Sequence, residues 1–325
     1  MKLFKLLSIL CIGGLTATLS SCKNGDISFT DYEGGVSVYF PYQYPVRTLV
    51  LGDYIYDNSN DNAHKFVISV AMGGVYKNKQ DREFRVAVDE SLCNNLLFTT
   101  GGDEVKPLPS NYYTLSSTDR IVIPKGKFNG GVEVQLTDAF FSDPDAIRNT
   151  FVVPMKILSA DVDSVVSGKN FTLFCVKYIN EFHGTYFRSG KSSVKDASGK
   201  TVEETVYDNY KFVEDRPRVS LKTTGRQQAS VSVGFNSNMF EGDLSLLLDF
   251  NGKNCTVSSP EGSKFVATGS GEFHEKAYNW GNKERDGIVV NYTVKDGEGN
   301  TYIASDVLVI RDRAVKMEVF SPVSK

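Results

Sequence analysis

The sequence predicts an all-β protein, a sandwich followed by a second antiparallel β domain that is either a small barrel or another sandwich. Three observations carry this. Short segments alternating apolar and polar residues recur from about residue 36 onward, Gly, Pro and Asn turn signals separate them, and helix signals are scarce. The chain has 325 residues, 41% apolar and 12% aromatic, which is ordinary globular composition and length enough for two cores at roughly 150 residues each.

The elements follow in order. Residues 1–21 begin with Lys2 and Lys5, continue through the apolar run Leu6 to Leu19 and end in small polar residues, the layout of a secretory signal. This run is too short and too interrupted to span a membrane, which takes about 20 apolar residues. Residues 22–30 form a tether. The first domain, 31–178, contains the alternating segments Val36-Ser37-Val38-Tyr39-Phe40, Phe84-Arg85-Val86-Ala87-Val88 and Val132-Glu133-Val134-Gln135-Leu136. Further strands are expected at Lys65 to Ala71, Arg120 to Ile123, Phe151 to Ile157 and Phe171 to Val176. Seven or more short strands in about 150 residues fit a sandwich. The best helix signal is Asp143-Pro144-Asp145-Ala146-Ile147-Arg148, where Asp143 caps and Pro144 takes the first helical position. The second domain, 179–325, has strands at Ala229 to Phe235, Leu244 to Phe250, Lys264 to Thr268, Gly287 to Lys295 and Thr301 to Ile310. Asp296-Gly297-Glu298-Gly299-Asn300 joins the last two as a hairpin, and the strand lengths lean toward a barrel.

Charge and cysteines narrow the function. With 36 basic against 39 acidic residues the net charge is −3, which excludes the basic footprint of a nucleic-acid binder. Cys11 lies in the signal, and Cys93, Cys175 and Cys255 match no metal or redox spacing. They read as small buried hydrophobes, with pairing of two of them the alternative.

No catalytic pattern stands out, so the chain reads as a non-enzyme with no cofactor and no metal. Thr185 to Ser192 ends like a phosphate loop, but Gly184 stands one residue too early and no helix follows. His64, His183 and His274 are isolated from one another, unlike zinc ligands. A nucleophile elbow is absent. Asp57-Asn58-Ser59-Asn60-Asp61-Asn62 has the oxygens for calcium but not the glycine or terminal glutamate of an EF-hand loop, and a polar turn is the better reading.

The remaining signal is aromatic. Sugar rings bind by laying an apolar face on Trp or Tyr while amides and charged groups take the hydroxyls. Tyr278-Asn279-Trp280-Gly281-Asn282-Lys283-Glu284-Arg285 has that mixture and holds the only tryptophan. Tyr278, Trp280, Asn282 and Arg285 are therefore the candidate glycan contacts. The competing reading makes Trp280 a core plug.

Leu19-Ser20-Ser21-Cys22 resembles the bacterial lipobox, in which the cysteine is acylated and becomes the new N-terminus. Val38-Tyr39-Phe40-Pro41-Tyr42-Gln43-Tyr44-Pro45-Val46-Arg47-Thr48, Met72-Gly73-Gly74-Val75-Tyr76, Pro109-Ser110-Asn111-Tyr112-Tyr113 and Gly130-Gly131-Val132-Glu133-Val134 resemble the N-terminal domain of unknown function of Bacteroides-type surface lipoproteins. Trp280 to Asp286 with Leu308 to Arg313 is similar to the C-terminal domain that commonly follows it. Asp163-Ser164-Val165 resembles a short O-glycosylation motif of such exported proteins. The resemblance implies an immunoglobulin-like first domain, lipidation at Cys22, an outer-membrane address at the cell surface and a link to polysaccharide utilisation. It supplies no catalytic residues. The expected function is non-catalytic glycan binding by a lipid-anchored protein, with outer-membrane proteins as further partners. The alternative is an adhesin-like or structural lipoprotein that binds another protein.

Overall fold

The structure is a computed structural model and describes residues 30–325. The leader and the lipidation expected at Cys22 lie outside the described residues. Among the described residues no helix is long and apolar enough to cross a membrane.

The first half holds strands β1 (Ser37–Tyr39), β2 (Pro45–Val50), β3 (Lys65–Gly73), β4 (Arg82–Val88), β5 (Tyr113–Leu115), β6 (Arg120–Ile123), β7 (Asn129–Leu136), β8 (Phe151–Ala160) and β9 (Phe171–Ile179). They form two facing sheets. One runs Ser164–Val165, β1, β3, β7, β5, and the other runs Glu318–Val319, β2, β9, β8, β4, β6. The alternation read in the sequence is the alternation of burial. Phe66, Ile68, Val70 and Met72 of β3 and Val132, Val134 and Leu136 of β7 point inward, meeting Phe40, Leu49, Phe84 and Tyr178 in one core. Asp143 caps a single turn, Pro144–Ile147, by accepting from the Asp145 amide at 2.7 Å.

Strand β8 departs from alternation because both of its faces are covered. Phe151, Val153 and Met155 face the sandwich core, while Val152 faces a second small core with Cys93, Phe98, Leu173, Cys175 and Phe320. Phe320 comes from the far end of the chain. Glu318–Val319 pairs with Pro45–Val46, Val323–Ser324 pairs with Leu96–Leu97, and the Phe320 ring lies 4.8 Å from Phe98. The last residues, assigned to the second half on sequence, thus pack against the first. Cys93, Cys175 and Cys255 are buried and free.

The second half is a barrel. Its strands are β10 (Gly184–Lys195), β11 (Thr201–Val206), β12 (Arg218–Gly225), β13 (Gln228–Gly234), β14 (Asp243–Asn251), β15 (Asn254–Ser258), β16 (Val266–Trp280), β17 (Lys283–Lys295) and β18 (Thr301–Asp312). From β12 to β18 each strand pairs antiparallel with the next, and β10 closes the sheet by pairing with β12 through residues 184–187 and with β18 through 185–195. Strand β11 extends the sheet beyond the eight closed strands along the outer half of β10. Closure brings neighbouring backbones close at Gly269, where an added Cβ would lie 2.0 Å from the Asn291 carbonyl oxygen. The hairpin Asp296 to Asn300 joins β17 to β18, with the Asp296 carboxylate accepting from the amides of Glu298 and Asn300.

The barrel interior is mostly apolar, with Leu221, Leu246, Leu248, Ile288 and Leu308 among its fillers. It also holds an ion pair. Arg188 on β10 meets Asp306 on β18 at 3.0 Å, both almost fully buried. Tyr207 and Tyr292 donate to the two Asp306 oxygens at 2.6 and 3.1 Å, and Arg188 Nη1 donates to the Gly234 carbonyl at 2.7 Å. The pair is therefore neutralised and hydrogen-bonded, the condition under which buried charge is tolerated.

Candidate functional site

The two halves meet along a joint whose geometry is set by the Asn/Asp-rich segment 57–62. These side chains are turned onto the protein itself. Asp61 is buried, accepts from the Val50 amide at 2.9 Å and pairs with Arg47. Asn58 Nδ2 donates to the carbonyls of Val50 and Gly52 at 2.8 Å each, and Asn62 Oδ1 accepts from the Gly52 amide at 2.9 Å. The loop 50–53 is thereby fixed from below, and it leads into Tyr54, which is half-buried, and Ile55 and Tyr56, which are exposed.

Arg313 fixes the same loop from the barrel side. Its guanidinium donates to the carbonyls of Leu51 and Asp53 in the first half and of Asn180 and His183 at the crossover. A buried cation held by four carbonyl oxygens joins the two halves at one point. Each of those bonds is charge-assisted and so roughly twice as strong as a neutral one.

Beside this pin lies a cleft of about 490 Å³, within the usual size range of small-ligand sites. One wall is Asp53, Tyr54, Ile55 and Tyr56; the other comes from residues 283–286 and 310–315. Ile55 and Tyr56 are 66% and 67% exposed, and Tyr54 and Tyr56 meet edge to face at 5.4 Å. An exposed ring, Tyr56, braced by the half-buried ring of Tyr54 gives an apolar face at little entropic cost on binding. Facing them stand Lys283, Arg285 and Glu284, with Arg311 paired to Asp312 at 3.2 Å. Burial pushes the Asp286 carboxyl up, and the charges of Asp53 and Glu275 add to that.

The structure gathers all four candidate glycan contacts on one hairpin, β16–β17. The two-residue turn Gly281–Asn282 has φ of 59° and 58°, the left-handed pair that suits a tight hairpin. Tyr278 is half-buried over Gly287, so close that an added Cβ there would lie 2.4 Å from its ring. Trp280 is half-buried; its ring tilts against Phe187 at 5.2 Å and carries the Arg285 guanidinium 4.8 Å from its centre. Asn282 sits exposed at the tip. Of the four, only Arg285 lines the cleft. Trp280 therefore serves as the seat of Arg285, which also donates to the carbonyls of Trp280 and Arg311.

Sequence reasoning did not single out Tyr54, Ile55, Tyr56 or Arg313. A signal for the first three was present: Asp53-Tyr54-Ile55-Tyr56-Asp57 has the same aromatic and polar mixture as the Trp280 segment. No local pattern marks Arg313, because its partners lie up to 262 residues away.

Residues 31–164 match the model of an N-terminal domain family, and residues 181–314 match a domain of unknown function, DUF5627. A crystal structure from Bacteroides ovatus, of unknown function, is 34% identical and covers 91% of this chain and 100% of that one, with a TM-score of 0.81. A second Bacteroides ovatus protein of unknown function covers 87% of this chain and 99% of that one at 15% identity and a TM-score of 0.44. An auxiliary nutrient binding protein from Bacteroides thetaiotaomicron covers 82% and 90% at 13% identity and a TM-score of 0.39. The last two likenesses are too low to carry an argument about ligand. No curated protein matches the chain.

Proposed function

This chain belongs to the family of the 34%-identical Bacteroides ovatus protein of unknown function, and from that premise we propose that it is a non-catalytic glycan-binding protein of the cell surface. Lipid on Cys22 tethers it to the outer membrane, and the cleft at the joint holds the sugar. One observation carries the reading: the exposed Tyr56 ring stands braced by the half-buried Tyr54 ring opposite Arg285 and Lys283 in a preformed cleft. Sugar rings present apolar C–H faces and a rim of hydroxyls, and this arrangement offers a surface for each. The hydrogen-bonded loop and the Arg313 pin hold the walls in place before ligand arrives, which lowers the ordering cost of binding.

The site is open and has few rings, so affinities of about micromolar to millimolar are expected, roughly −8 to −4 kcal/mol. Display of many copies on a membrane raises avidity. The test is titration of the chain from Lys23 onward with a panel of polysaccharides, following heat and Trp280 fluorescence. Tyr56→Ala removes an exposed ring, so folding should survive while affinity drops roughly tenfold or more. Saturable binding that Tyr56→Ala leaves untouched would move the site elsewhere. No binding across the panel would end the glycan reading and favour a protein partner.

A further inference from the structure

The cleft does not stand alone. A crevice of about 830 Å³ adjoins it at Asp53 and Asp286, which line both. Phe250 and Phe273 give the crevice an apolar floor, and both rings pack on Phe182, at 3.5 Å and 5.4 Å respectively. Asn251 stands exposed on its rim. The crevice in turn shares Gly52, Asn62, Glu181 and Gln227 with a smaller recess of about 240 Å³ at His64 and Arg226. Three adjoining hollows therefore follow the joint between sandwich and barrel. Either of the two larger ones is big enough for one small ligand; end to end they form a trough.

The middle of this trough is acidic. Asp53, Glu181, Glu275 and Asp286 line it against Lys253 and Lys276. Burial raises both Glu181 and Asp286; Asp53 and Glu275 add to the rise at Asp286, whereas at Glu181 the cations Arg226 and Arg313 oppose the smaller contributions of Asp286 and Glu275. An anionic ligand entering there would meet like charge in a partly desolvated place, where the repulsion is poorly screened.

We propose that the trough binds an extended, uncharged oligosaccharide. One end lies against Tyr54 and Tyr56, the following units pass Asp53 and Asp286 and cover Phe273, and chains carrying carboxylates are turned away. This inference rests on the glycan reading of the cleft and names the class of sugar that the same joint selects.

The experiment is isothermal titration of the chain from Lys23 with oligosaccharide ladders from xylan, mannan, β-glucan and starch, from disaccharide to hexasaccharide, with oligogalacturonates as the charged series. Affinity should rise about tenfold or more from disaccharide to hexasaccharide. Phe273→Ala, which removes the half-buried ring that the longer chain covers, should reduce that gain and leave the disaccharide unaffected. Tyr56→Ala should weaken every length, and oligogalacturonates should fail to bind at low salt. Affinity independent of length, a gain that survives Phe273→Ala undiminished, or oligogalacturonate binding as tight as neutral binding each overturns the inference while leaving the glycan reading in place. Absence of binding by any neutral sugar overturns both.

Discussion

The sandwich completes its core with chain from the far end of the sequence, whereas the barrel closes on itself and keeps a charged pair inside. In the first half, β8 and β9 would expose Val152, Leu173 and Cys175 if Phe320 did not return to cover them. In the second, β10 meets β18 along 11 residues, and Arg188 and Asp306 face each other across that seam. The contrast shows where each half is vulnerable: the sandwich at its borrowed cover, the barrel at its seam. The joint gains from both, because β18, one side of the barrel's closing seam, runs straight into Arg313 and the returning tail.

The largest effect should come from breaking the seam. Asp306→Ala leaves the Arg188 guanidinium buried without its carboxylate, a change that costs about 3–5 kcal/mol. Trp280 reports on the barrel because its ring packs on Phe187 of β10 and no other tryptophan is present. The guanidinium midpoint followed by its fluorescence should fall accordingly. Replacing Arg188 and Asp306 together with apolar residues of similar volume should recover most of the loss. A loss below about 1 kcal/mol in the single variant would mean that water reaches Arg188 and that the seam is not the weak point.

A smaller effect is expected from uncovering the sandwich. Phe320→Ala empties a site bounded by Phe98 and Tyr44 and should cost about 3 kcal/mol. Its signature is chemical. Burial pushes the thiols of Cys93 and Cys175 up to about 12 and that of Cys255 up to about 11, so all three resist alkylation in the folded protein. In Phe320→Ala the first two should label much faster and Cys255, in the barrel, should not. Equal acceleration at all three would show that the tail holds both halves, and the contrast between them would dissolve.

These two devices also mark what the sequence could and could not convey. Strands β3, β4 and β7 were legible because alternation is local and one face of each is buried. The run Phe151 to Ile157 was legible as a strand, but not its second covered face, since Phe320 is remote in sequence. The barrel seam joins residues 185–195 to 301–312, and no local pattern encodes a pairing at that distance. A strand was legible at Lys264 to Thr268 but not its continuation to Trp280, because Glu275, Lys276 and Asn279 break the apolar alternation and a bulge lies between His274 and Tyr278. Of the candidate site, Arg285 was found through its neighbour Trp280. Tyr54 and Tyr56 have the same local mixture, but nothing local shows that the polar run 57–62 beside them, a turn on sequence, turns its carboxylates and amides inward to hold up the very loop that carries the two rings.

The smallest of the three effects tests whether the halves are coupled. His183 lies at the crossover, where its carbonyl accepts from Arg313 Nε at 2.7 Å and its ring Nδ1 accepts from the Thr223 amide at 3.1 Å. Burial, with Arg313, Lys177 and Lys222 adding positive charge, pushes its pKa down to about 4 from an ordinary 6.5. Between those values the unfolded chain holds a proton on this ring that the folded chain does not. Stability from this group is thus complete above about pH 6.5 and is lost as the pH falls toward 4, on the order of 2 kcal/mol for a ring that is not wholly buried. Glu181 and Asp286, whose carboxyls are pushed up at the same joint, work in the opposite sense and gain stability on acidification. His183→Gln separates the two contributions, because the difference between it and the parent isolates the imidazole. If Arg313 transmits the loss, Trp280 fluorescence and Cys93 labelling should both register it over the same pH range, and both should flatten in the variant. A response confined to Trp280 would leave the sandwich independent of the barrel, and the cleft between them would then owe its shape to the loop 50–53 alone.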